Sequence, residues 1–108
     1  MFGRAEPPTA VACADARAAT GVLRAARARG LDVPDNVSVA AFDDTGLGAF
    51  AGPALTFVRP DWAGLGRHAA AALLPQLHDP PAAPLRSQVP PVLVARGSTG
   101  PRAVRVGG

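Results

Sequence analysis

The side chains best placed to do chemistry in this 108-residue chain are acids: Asp15, Asp43 and Asp44 each follow directly on a short apolar run. Thr9 to Ala14 (TAVACA) stops at Asp15, and Ser38 to Phe42 (SVAAF) stops at Asp43-Asp44. If the two runs are parallel strands, both sets of acids leave at one rim, where open α/β sheets bind their ligands. Carboxylates with no cationic or metal partner nearby suit a hydroxyl-rich ligand, because an ionised carboxylate accepts from two adjacent hydroxyls. A plainer alternative stays open, in which Asp15 only caps a helix and Asp43 and Asp44 only form Asx turns. Trp62 adds a large aromatic that could stack on a sugar face or fill a core.

Other chemistries lack their residues. The chain has no lysine, which closes a Walker A loop, a Schiff base and the phosphoryl-transfer sites that pair aspartate with lysine. Ser38, Ser87 and Ser98 all stand outside a G-x-S-x-G elbow. His68 and His78 fall outside any HExxH pattern and read as surface or helix-end histidines. Cys13, inside the first apolar run, reads as an inert core thiol. One cysteine makes no internal disulfide, and with two scattered histidines it makes no structural zinc site. The expectation is therefore a non-enzyme with no metal, no cofactor and no catalytic residue.

The elements that must position the acids follow from periodicity. TAVACA has no polar alternation, as expected of a strand covered on both faces. From Ala16 to Arg29, Ala19, Val22, Leu23 and Ala26 recur at helical spacing, with Asp15 as N-cap and Gly30 as the residue after the C-cap. SVAAF then gives a second buried strand, so the stretch from Thr9 to Phe42 reads as one βαβ unit with parallel strands and a right-handed crossover. A third strand is expected over Leu55 to Val58, and a second helix from Asp61 to Leu77 with Leu65, Ala69, Ala72, Leu73 and Leu77 on one side. Gly64, Gly66 and Pro75 weaken that helix. A last short strand is expected over Val92 to Ala95. Residues 1–8 form a lead-in, 9–96 the folded part, and 97–108 a flexible tail without apolar periodicity.

Composition sets the class. The chain holds 24 Ala, 12 Gly and 12 Pro, and its net charge of +3 comes from 11 basic residues that are all Arg. These spread from Arg4 to Arg105, with only Arg24, Arg27 and Arg29 close together, so the basicity reads as a solvated face and not as a nucleic-acid stripe. Ala69 to Leu74 is too short to cross a bilayer of roughly 30 Å. A soluble, cytoplasmic chain with no membrane partner is expected. Three or four parallel strands with two helices leave faces and edges uncovered, which points to a dimer or to part of a longer fold.

PTAVACADARAATGVLRAARARGLDVPDNVSVAAFDDT resembles a stretch of the LacI/GalR family of sugar-responsive repressors, written as PTA, an apolar strand, AND, a helix and GL-x-VP-x-D-VSV-x-GFDD. PALTFVRPD resembles that family's PPLTTVRQP segment, LGRHAAAALL its next helix, and VPPVLVARGSTG its closing L-x-x-R-x-STG stretch. The likeness covers residues 8 to 100 in order. It implies a parallel βαβ sheet forming the C-terminal portion of a type I periplasmic-binding-protein-like sensor, in which two α/β subdomains close on a small effector.

The resemblance also implies partners and site residues. Asp43 falls where family members hydrogen-bond effector hydroxyls, and Asp15 takes the place of an effector-contacting Asn. Ala16 replaces the Asp after it, Ala41 replaces a Gly, and Pro60 stands where Gln is common. Trp62 lies near an aromatic that can stack on the ligand. The implied partners are a sugar or related polyol, a second copy of the chain through Thr20 to Arg29 and Leu47 to Gly52, and operator DNA through a headpiece that precedes the sensor. A truncated sugar-binding transport receptor of the same fold, or a remnant without function, are the alternatives. With half a cleft, weak or absent binding by this chain alone is expected.

Overall fold

The computed structural model describes residues 1–42, 48, 52–81 and 83–104, in the order β1 (Ala10–Cys13), α1 (Ala16–Ala28), β2 (Ser38–Phe42), β3 (Thr56–Arg59), α2 (Trp62–Gln76) and β4 (Val92–Val94). The strands form one sheet in the order β1-β2-β3-β4. β1 runs parallel to β2 with Ala10 opposite Ser38 and Cys13 opposite Ala41, and β2 runs parallel to β3 with Ala40 opposite Thr56. The chain divides into two units, Met1–Arg59 with Leu93–Gly108, and Pro60–Val92.

In the first unit α1 forms as its sequence dictates. Asp15 in extended conformation caps its start, its Oδ1 accepting the Ala18 N–H at 2.8 Å. At the other end Gly30 adopts φ +68°, and the Gly30 and Leu31 N–H groups donate back to the carbonyls of Arg27 and Ala26, each at 3.0 Å. Those reversed bonds are the Schellman closure that a left-handed glycine permits. The expected stripe is the packed one: Ala19 and Ala26 are wholly buried, and Val22 and Leu23 pack half-buried on the core. Small residues let the helix backbone approach the sheet closely. The main apolar cluster joins Cys13, Ala16 and Ala19 to Val39, Ala41, Leu55 and Phe57, and a second joins Phe2 to Ala26 and Val37.

Three expectations are corrected. β1 is covered on one face only: Val11 and Cys13 point toward α1, while Ala10 and Ala12 are exposed. Alanine hides this alternation in the sequence because it suits either face. The lead-in is docked through Phe2, which is 9% exposed. The stretch expected as a tail begins with a tightly held segment, because Ser98 is completely buried between the amino-terminal ends of β2 and β3.

That segment, Arg96–Gly100, substitutes for a missing piece of strand pairing. The Val39 N–H donates to the Ser98 carbonyl at 2.8 Å, and the Ser98 N–H to the Ala54 carbonyl at 3.0 Å. Ser98 Oγ donates to the Val39 carbonyl and accepts the Thr56 N–H at 2.8 Å. Thr56 Oγ1 lies 2.7 Å from Thr99 Oγ1 and accepts the Arg96 N–H at 3.0 Å, while Ser38 Oγ accepts the Gly100 N–H at 3.1 Å. No buried side-chain polar atom among the described residues lacks a partner.

The second unit contains α2. Asp61 caps it through Oδ1, which accepts the Gly64 N–H at 2.9 Å. A Cβ at Gly64 would come within 2.1 Å of the Asp61 carboxylate, so the glycine is what admits the cap. Pro75 lies in the final turn, where the helix persists to Gln76 and Gln76 Nε2 donates to the Ala72 carbonyl at 2.8 Å. The expected apolar side of this helix is not buried: Leu65, Leu73 and Leu77 are all exposed.

Candidate functional site

The site begins with strand register. β1 and β2 run the same way, with Cys13 beside Ala41, so the two strands end at the same edge of the sheet. Asp15 follows β1, two residues past Cys13, and is exposed. Asp43 and Asp44 follow Phe42, the last residue of β2, and lie outside the described residues.

Asp15 is the helix cap of the plainer sequence reading, with one carboxylate oxygen committed to the Ala18 N–H. Capping orients the carboxylate and does not exclude contact with a ligand, since a carboxylate offers two oxygens. Ala16, which stands where the resembled family carries an acid, is only 6% exposed and belongs to the core cluster. Cys13 lies directly beneath the rim. Its thiol is pushed above its usual value, first by burial and then by the Asp15 carboxylate, which disfavours a second negative charge. A buried, protonated thiol matches the inert role expected of it.

Trp62 belongs to the second unit, where it opens α2 directly after the Asp61 cap. Its side chain is 58% exposed. The histidines sit as ordinary surface groups, His68 Nδ1 lying 3.3 Å from the Ser87 hydroxyl. Among the described residues no three His, Cys, Asp or Glu side chains gather as they would around a metal ion.

Two open grooves mark the surface of the first unit. One runs between Glu6–Thr9 and Arg102–Val104, the other between the end of α1 and Gly52-Pro53. Asp15 lines neither groove. The polar residues not singled out from the sequence are Ser38, Thr56 and Ser98, whose hydroxyls hold the amino-terminal ends of β2 and β3. The Ser-Thr-Gly tripeptide was their signal, legible only through the family resemblance.

Parallel strands β1, β2 and β3 with α1 packed on them give an α/β fold, and sheets of this kind bind ligands beyond the carboxyl ends of their strands. The periplasmic binding protein-like domain matches residues 2–99, and the chain belongs to that family. The HTH-type transcriptional regulator MalR of Streptomyces coelicolor is 47% identical over 91 residues, which are 84% of this chain and 26% of the regulator. The chain thus spans about a quarter of the length of that curated relative. Among solved structures, the lac repressor dimer bound to operator and the anti-inducer ONPF aligns with TM-score 0.74 and 35% identity, over 85% of this chain and 32% of the other. The complex of the transcriptional regulator CelR with cellobiose aligns with TM-score 0.75 and 30% identity, over 83% of this chain and 28% of the other. The expected fold and LacI/GalR kinship both hold: this is sequence of the sensor domain of LacI-type regulators. No helix among the described residues is long and apolar enough to cross a membrane.

Proposed function

We propose that this chain forms the effector-binding and dimerising part of a LacI/GalR-like transcriptional regulator, sensing a sugar or related polyol without catalysing a reaction. The observation that supports the reading most is the parallel register of β1 and β2, whose carboxyl-terminal ends, Cys13 and Ala41, lie side by side. Asp15 and Asp43 are the acids that accept effector hydroxyls there, and Trp62 supplies an aromatic face for the sugar ring. CelR in complex with cellobiose and a lac repressor dimer on its operator are relatives of matching fold, and their partners support the same classes here. Effector binding then shifts the equilibrium between open and closed subdomains, which changes operator affinity by the reciprocal coupling free energy.

Two experiments test this. Reading the DNA upstream of Met1 separates the candidates: an in-frame helix-turn-helix supports the regulator, and an export signal supports a transport receptor instead. Calorimetric titration of the whole regulator with cellobiose and a panel of polyols should find a ligand whose affinity falls more than tenfold in Asp43→Ala. Unchanged affinity in that variant counts against the site.

A further inference from the structure

We propose that Arg96–Gly100 is a latch that detaches as a unit while the apolar core of its unit stays folded. Two observations carry this. The segment is held through hydroxyl and backbone hydrogen bonds, and among the described residues the buried polar side chains, Ser38, Thr56 and Ser98, all belong to that one network. By contrast, neither apolar cluster includes any residue from Arg96 to Gly100. The segment also meets the core through a cation-π contact, the Arg96 guanidinium lying 5.5 Å from the centre of the Phe57 ring.

The energetics of opening follow. Hydrogen bonds lost from the latch are replaced by bonds to water, so each contributes modestly, whereas core opening must expose the apolar surface that dominates stability. Opening the latch therefore uncovers little surface and depends weakly on denaturant, because that dependence scales with the surface exposed. Such a partial opening lies below global unfolding in free energy. The second unit returns to the first through β4, directly ahead of the latch.

Two neighbouring amides give the test. The Ser38 N–H donates to the Thr9 carbonyl at 2.9 Å, within the β1–β2 pairing, while the Val39 N–H donates to the Ser98 carbonyl at 2.8 Å in the latch. Native-state hydrogen exchange on the full chain in low urea should show Val39, Thr56, Ser98 and Gly100 opening together, with a urea slope no more than half that of Ser38. In Gly21→Ala, which strengthens α1 with nothing within 4 Å of the added methyl, exchange at Ser38 should slow several-fold while Val39 and Thr56 are unchanged. A shared urea slope for Ser38 and Val39, or a slowing of Val39 in step with Ser38, overturns the proposal.

Discussion

Ser98 and Val39 bond to each other twice: the Val39 N–H donates to the Ser98 carbonyl, and the Ser98 hydroxyl donates to the Val39 carbonyl. A side chain thereby supplies what a neighbouring strand's backbone would. Since the same hydroxyl accepts the Thr56 N–H, one residue closes the gap between β2 and β3. Ser98→Ala leaves the buried Thr56 N–H and one Val39 acceptor unpaired, a loss of about 1–3 kcal/mol. Urea unfolding should show a lower midpoint, and a loss under about 0.5 kcal/mol would contradict this role.

Glycine positions should respond in opposite directions. A Cβ at Gly48 would lie 2.0 Å from the ring of Phe57, which is completely buried and has nowhere to move. Gly48→Ala should cost about 1–3 kcal/mol by overpacking. Gly21, inside α1 with open space around it, should gain up to about 1 kcal/mol as alanine. Thermal melts of the two variants should bracket the parent chain; a shift of the same sign in both would contradict the packing described.

The observed cap at Asp15 and its proposed effector contact can be separated by substitution. Asn retains the capping oxygen, so Asp15→Asn should keep α1 stability within a few tenths of a kcal/mol, whereas Asp15→Ala should lose about 1 kcal/mol. In the whole regulator, Asp15→Asn should still change the ranking of polyol effectors, because an amide brings a donor where the carboxylate only accepts. Identical effector ranking in calorimetry would leave Asp15 as a cap alone.

The Cys13 thiol holds its proton to higher pH in the folded chain than in the unfolded one, where the ordinary value is about 8.5. The folded state then binds more protons across that interval, so stability falls as pH rises. The contribution is full below about pH 8.5 and is lost as pH climbs through the folded value. Urea midpoints between pH 7 and 10 should fall more steeply for the parent than for Cys13→Ala. Equal slopes would show that burial does not hold the proton. Thiol reagents at pH 8 should react slowly until the chain is unfolded.

Much of the first unit was legible in the residues. The Asp15 cap, the apolar stripe of α1 and the Gly30 closure each depend on local chemistry, and a strand, a helix and a second strand implied the parallel pairing of β1 with β2. What escaped was non-local. The one-sided cover of β1 is invisible because Ala10 and Ala12 carry no preference, and the burial of Ser98 depends on partners 42 and 59 positions away. For the candidate site, the sequence order of Asp15 and Asp43 was readable from strand ends. Trp62, as an aromatic beside a helix cap, could be weighed for stacking or packing but not decided by spacing.

β1 stands at the outer end of the sheet order, its Ala10 and Ala12 bare and uncharged. Among the described residues nothing pairs with the outer side of β1, and an edge strand of this kind can recruit other extended chains. A lysine at position 12 would act as a gatekeeper, and the solubility ceiling of Ala12→Lys should exceed that of the parent.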